Sequence, residues 1–203
     1  MRRAVRYESA GEAIDVPVTK LGGQPLWLRA PQWPVSASLA EPMTFIGQFR
    51  LDTGDSATGS GDPATGSGDS AAGGDVRMAY VFMTDSDEHV DGTWEPEGGE
   101  NAVIIQPDGR IPPFVAVRDV GSGPSRPAED HLPVDELVTD DEELWDFLGG
   151  DPVWLQGDET PGAGWRLVAQ LTDGFGLNFG DAGIGYVFVS PDGAEGRFLW
   201  QCG

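Results

Sequence analysis

The chain has 203 residues, with 34 acidic against 12 basic side chains and a formal net charge of −22 at pH 7. Such a surface repels phosphate backbones and anionic lipid, which argues against nucleic-acid and membrane partners. No window approaches the roughly eighteen apolar residues of a membrane span, and a lone Cys202 excludes an internal disulfide, so the reducing cytoplasm is the expected compartment.

The first apolar stretch, Ile14-Asp15-Val16-Pro17-Val18, reads as extended chain leading into a Leu21-Gly22-Gly23 turn, with a short strand around Trp27. Met43 to Leu51 alternates around Phe45, Gly47, Phe49 and Leu51, which predicts a core strand with a glycine where a bulge fits. Residues 54–74 collapse almost entirely to Gly, Ser, Asp, Ala and Thr, and a seven-residue motif starting at Ala57 is echoed from Ala64. That composition predicts a flexible insertion that cannot form a core. Val76 to Met83 and Ile184 to Ser190 are apolar at nearly every position, as strands covered on both faces are. Between them, Ala102 to Ile105 resumes the sheet, Phe114 to Val117 is a further short strand, and 121–127 reads as a linker rich in Gly, Ser and Pro. One helix is predicted. Thr139-Asp140-Asp141-Glu142 fits a capping box, and Leu144, Phe147 and Leu148 share a face before Gly149 ends it.

Four segments occur twice in one order. Leu21-Gly22-Gly23-Gln24-Pro25-Leu26-Trp27-Leu28 returns as Leu148-Gly149-Gly150-Asp151-Pro152-Val153-Trp154-Leu155, and Phe45-Ile46-Gly47-Gln48 as Leu167-Val168-Ala169-Gln170. Ala79-Tyr80-Val81-Phe82 then returns as Gly185-Tyr186-Val187-Phe188, and Val103-Ile104-Ile105-Gln106 as Phe198-Leu199-Trp200-Gln201. Such self-similarity marks an internal duplication. The expected fold is a single α+β domain, dominated by strands, whose halves at about 14–106 and 139–203 are related by a pseudo-twofold. Gly22, Gly23, Pro25, Trp27 and Gln48, with their mates Gly149, Gly150, Pro152, Trp154 and Gln170, are expected to carry the repeat structurally. The recurring glutamines, Gln106 and Gln201 included, are expected as buried amides bridging the two halves.

Lys20-Leu21-Gly22-Gly23-Gln24-Pro25, Met43-Thr44-Phe45-Ile46-Gly47-Gln48, the run from Asn178 to Phe188 and the closing Phe198-Leu199-Trp200-Gln201-Cys202 resemble, in this order, the YwqG-like family, also called DUF1963. The resemblance spans nearly the whole chain. It implies an intracellular, mostly bacterial domain of mixed α and β structure with no established activity. Some members are encoded near secreted polymorphic toxins, which implies an immunity or antitoxin-like role as one expectation. The insertion at 54–74 departs from the family pattern.

Asp173 and Asp181 flank a glycine-rich loop that could hold a metal through oxygen ligands, or supply an acid/base pair, if the loop folds back. The competing structural reading gives the glycines to backbone packing and has Asp181 capping backbone N–H groups at the strand entrance. Asp85 to Gly92 departs from a calcium loop at Val90 and again at Pro96. His89 and His131 stand in polar, acidic segments without a nucleophile elbow, and no metal or other cofactor is expected. Trp33, Trp94 and Trp165 have no repeat mates and are the expected exposed contact surface. Together these features predict a monomeric, cytoplasmic, non-enzymatic module that binds a protein partner, basic surfaces being those its charge attracts. The alternative is a small-ligand or metal-binding protein, or an enzyme, using loop 173–183.

Overall fold

A computed structural model describes residues 2–51, 76–86, 90, 92–136 and 146–203. Among them are twelve strands and no helix: β1 (Arg3–Ser9), β2 (Lys20–Leu21), β3 (Trp33–Val35), β4 (Thr44–Leu51), β5 (Arg77–Met83), β6 (Asn101–Gln106), β7 (Ala116–Arg118), β8 (His131–Asp135), β9 (Asp146–Leu148), β10 (Arg166–Thr172), β11 (Ile184–Val189) and β12 (Gly196–Gln201). Ten of them form one antiparallel sheet in the order β12-β11-β10-β9-β1-β8-β2-β4-β5-β6, and β3 pairs separately with β7. The edge strands β6 and β12 meet so closely that a Cβ on Gly196 would lie 2.3 Å from Val103 Cγ1. The sheet is thus a nearly closed barrel.

The expectation of an α+β fold is therefore corrected to all-β. Of the predicted helix, 139–145 lie outside the described residues, while Phe147 and Leu148 belong to β9, between Ala4 and Arg3 of β1 and Gln170 and Ala169 of β10. Two flanking strands offer this segment backbone hydrogen bonds on both sides. Helix preferences of a few tenths of a kcal/mol per residue do not compete with that. The insertion at 54–74 also lies outside the described residues; the chain leaves β4 at Leu51 and is next described at Val76.

The strand order reads the same from both ends when β6 is exchanged for β12, β5 for β11, β4 for β10, β2 for β9 and β8 for β1. At its centre β1 and β8 run antiparallel, with Arg6 opposite Val134. The register irregularities of β4 and β10, between Phe45 and Gly47 and between Leu167 and Ala169, fall at matching positions. Each half also lends a strand to the other. β1 pairs with β9, and β8 pairs with β2.

Strict alternation sorts the apolar residues. In β5, Ala79, Val81 and Met83 point into the barrel with Val5, Tyr7, Phe49, Val187 and Phe198, while Met78, Tyr80 and Phe82 point outward under Trp27 and Trp33. Tyr186 and Phe188 of β11 likewise point outward, under Trp154. Trp27 stacks on Phe82 (6.0 Å, 13°) as Trp154 does on Phe188 (5.9 Å, 17°). The Tyr80 and Tyr186 hydroxyls donate to Leu26 O and Val153 O at 2.6 and 2.8 Å, and burial pushes the Tyr186 hydroxyl up to about 12.

The four glutamines are buried, and the hydrogen bonds of Gln48, Gln106 and Gln201 stay within their own half rather than bridging the two. Gln48 accepts from Leu26 N and Gln170 from Val153 N, both at 2.9 Å, while Gln106 holds Arg29 and Ala30 and Gln201 holds Leu155 and Gly157. Each amide accepts from the segment that follows its own Gly-Gly turn, and Gln48 also donates to Val18 O, ahead of its turn, at 2.9 Å.

Arginines secure the seam between β6 and β12. Arg197 has only 8% of its side chain exposed, pairs with Glu97 (3.2 Å) and Glu195 (2.5 Å), and lies 4.8 Å over the Phe114 ring and 5.4 Å from that of Trp165. Arg77 donates to Gly193 O at 2.6 Å, and Arg110 N to Ala194 O at 2.7 Å. Arg197→Ala should lower the stability measured by urea unfolding by about 2 kcal/mol, the sum expected for a desolvated cation–π sandwich and its packing. An unchanged midpoint would show that backbone pairing alone closes the barrel.

Candidate binding cleft

Both Leu-Gly-Gly turns need the left-handed region, with φ of 70° and 61° at Gly22 and Gly23 and of 69° and 78° at Gly149 and Gly150. Gly22 N–H donates to Ile46 O and Gly149 N–H to Val168 O, at 2.8 and 2.9 Å. The turns come early because β2 has two residues and β9 three, so β4 and β10 run on past them. What stands beside that overhang differs between the halves.

In the first half the overhang is covered. Phe45 N–H donates to Pro124 O, and Phe45 O accepts from Arg126 N, both at 2.9 Å. The carbonyls of Pro127 and Glu129 close over Gly22, and Leu177 and Phe179 of the 173–183 loop fill this end of the barrel. The stretch at 121–127, expected as a linker, is thus pinned against β4. In the second half, Arg166 to Val168 instead border a cleft of about 630 Å³.

Ile14, Val16, Val18, Leu51, Leu132, Leu148 and Val168 give the cleft an apolar wall, and Arg3, Arg50 and Arg166 supply its charge. Among the described residues that line it, three are arginines and none is acidic. Arg166 stands opposite Val189 and Arg3 opposite Leu148, and those partners pack into the barrel core. Residues opposite one another share a face, so both arginines project from inward positions at the mouth. Arg3 pairs at 3.1 Å with Asp135 on the exposed rim. Arg166 makes no ion pair among the described residues.

Two enclosed charge clusters lie elsewhere and are already satisfied. Glu100, 2% exposed, accepts from Ser36 Oγ (2.6 Å), Ser38 N (2.8 Å), Ser38 Oγ (2.6 Å) and Thr84 Oγ1 (2.7 Å). Burial alone would raise its pKa, but those hydrogen bonds hold it below the usual glutamate value. The buried Lys20 ammonium pairs with Asp130 and donates to Gln24 O at 2.7 Å, while Ile14 N donates to the other Asp130 oxygen at 2.7 Å. Its repeat mate is Phe147, with the Arg2 guanidinium 5.1 Å from the ring.

The residues singled out from sequence are not brought together. Asp173 and Asp181 are exposed; Asp173 accepts from Phe179 N at 3.3 Å, and Asp181 contributes its backbone carbonyl to Gly203 N at 3.0 Å. The capping expected of Asp181 is therefore done by Asp173. No group of three or more His, Cys, Asp or Glu side chains is arranged for a metal among the described residues. Trp33, expected on an exposed surface, is 1% exposed because it packs edge-on to Phe82 and donates from Nε1 to Met43 O at 2.7 Å. Trp165 is half-buried beside Arg197, and only Trp94, 47% exposed, meets the expectation of exposure. His131 lies against Phe175 with ring centroids 4.8 Å apart and planes tilted by 57°, and His89 lies outside the described residues. The cleft arginines were not among the sequence candidates, since positions 3, 50 and 166 share no motif.

Comparison with known proteins returns no match, whether to a family model, a curated protein or a solved structure. The family resemblance rests on its four blocks alone.

Asp146, the first residue of β9, accepts from Thr172 N at 2.6 Å and Thr172 Oγ1 at 2.9 Å. Burial raises its pKa and outweighs those bonds, and its charge adds to the burial that raises the Tyr7 hydroxyl, which has no hydrogen-bond partner among the described residues. A carboxyl with a raised folded pKa withdraws stability as pH climbs above its unfolded value of about 3.9. Asp146→Asn, which keeps the acceptor and removes the charge, should therefore raise the denaturation midpoint at pH 7, with the gain shrinking toward pH 4. A loss of stability at both pH values would show that the Thr172 bonds need the ionised form.

Proposed function

We propose that this chain is a non-enzymatic binding module and that its recognition site is the cleft beside the start of β10. The observation that carries this reading is Arg166, a guanidinium without an ion-pair partner among the described residues, set at the mouth of an apolar cleft in a chain of net charge −22. Cations at the mouth of an apolar concavity add positive potential to a surface that is otherwise strongly acidic. An anionic group seated there gains charge-assisted, forked hydrogen bonds, and an apolar group beside it is desolvated against leucine and valine.

The volume, about 630 Å³, lies within the ~300–1,000 Å³ of small-molecule sites. A flat patch of roughly 800 Å² per partner, as protein interfaces need, would present convex anchors instead. The tryptophans expected to form such a patch are mostly buried or half-buried.

Anilinonaphthalene sulfonate, an anion on an aromatic body, is a suitable first probe. It should bind saturably at one site with enhanced fluorescence, and Arg166→Glu should weaken it by about tenfold or more, the loss expected of one charge-assisted contact. Circular dichroism and the urea midpoint should stay unchanged, because Arg166 is exposed. Equal binding by the variant would remove the cleft as the site.

A further inference from the structure

We infer that the cleft takes a free monocarboxylate carrying an unbranched apolar chain, an inference that rests on the binding reading above and names its ligand class. Three features of the cleft lead there. Its cations are all arginines, whose planar fork matches a carboxylate bidentately, and not lysine, which this chain holds only at the buried position 20. Arg3 already satisfies one carboxylate, that of Asp135, from the rim. Arg166 faces inward from the same mouth without an ionic partner among the described residues, which leaves one carboxylate's worth of fork donors directed at the cleft.

The second feature is the wall. Val16, Val18, Leu51, Leu132, Leu148 and Val168 come from five separate parts of the fold and are aliphatic, with Phe49 the one aromatic residue among the lining. Thr19 is the only uncharged polar side chain among the cleft residues, and its Oγ1 already accepts from Arg50 N at 3.0 Å. A sugar, nucleoside or peptide backbone would bring donors and acceptors that this wall cannot pair, at a cost of about 1–3 kcal/mol each. A methylene chain brings none.

The third feature is the fold's own internal comparison. At the matching end of the barrel the same overhang is covered by the 124–129 segment, and Leu177 and Phe179 enter the core from their loop. Apolar chain is what this architecture places at such an end. The net charge of −22 opposes approach to an anionic bilayer, so the carboxylate is a free monomer and not a membrane headgroup.

Isothermal titration of the full chain with acetate, hexanoate, octanoate and decanoate, each below its micellar concentration, tests the inference. Affinity should rise by about fourfold per methylene, the ratio that ~0.8 kcal/mol of burial gives, with acetate too weak to detect. Decanoate should displace anilinonaphthalene sulfonate, and decylammonium should not. Arg166→Glu and Arg166→Gln should both weaken decanoate by tenfold or more, whereas Arg166→Lys should recover only part of the loss. Phosphatidylglycerol vesicles should not co-sediment the protein. Absence of decanoate binding while the sulfonate probe still binds in an Arg166-dependent way would overturn the ligand class and leave the cleft as the site. Sedimentation with vesicles would assign a membrane headgroup instead, and displacement of the probe by a glutamate-rich peptide but not by decanoate would assign a protein.

Discussion

The fold depends on one strand pair. β1 and β8 lie side by side at the centre of the ten-stranded sheet, each followed in sequence by a strand that pairs with the other, β2 with β8 and β9 with β1. Because β1 hydrogen-bonds to β9 and β8 to β2, neither half can complete its sheet alone. An isolated half would expose two unpaired edges and the inner apolar face, a combination that favours association over folding. The same pair sets the direction of the pseudo-twofold, which exchanges the two ends of the barrel. One end of the barrel is therefore the symmetry mate of the other, and any difference between them is a departure from the duplication.

The departures are chemically consistent. At the covered end, Lys20 and Asp130 form an enclosed ion pair beneath the Gly22-Gly23 turn; at the open end the same two places hold Phe147 and Arg2, a ring and a cation. A buried ion pair roughly breaks even against a well-packed apolar alternative, so the fold tolerates either solution. The ionic version brings with it backbone contacts from Ile14 and Gln24 that tie down the segment around it. The aromatic version leaves the adjacent Gly149 facing the cleft. Two local chemistries on one backbone thus accompany two differently shaped ends, with cavities of about 300 and 420 Å³ at the covered one and about 630 Å³ at the other.

What could be read from the sequence was the part in which side chains repeat. Gly22 and Gly149 recur because the turn demands positive φ, and Trp27 and Trp154 because each must cover a tyrosine whose hydroxyl holds the chain above it. β1 and β8 could not be matched in this way. Arg3-Ala4-Val5-Arg6-Tyr7 and His131-Leu132-Pro133-Val134-Asp135 agree at no position, and only backbone pairing makes them equivalent. The helix expected before Gly149 failed for a related reason, since capping chemistry is local and the demand for a strand at 146–148 comes from neighbours far away in sequence. Trp33 was misplaced because flanking prolines suggest a surface loop, whereas Pro34 here lies in the β3–β7 ribbon that covers the outer face of β5. The cleft was invisible for want of any motif linking positions 3, 50 and 166.

Lys20 has a consequence beyond its ion pair. It is the only lysine in the chain, and its side chain is sealed beneath the first glycine turn. The folded surface consequently presents no ε-amino group to acyl donors, aldehydes or isopeptide-forming ligases. Such chemistry could reach this side chain only after β2 had detached from β4 and β8, so acylation at that one nitrogen would count molecules that had opened.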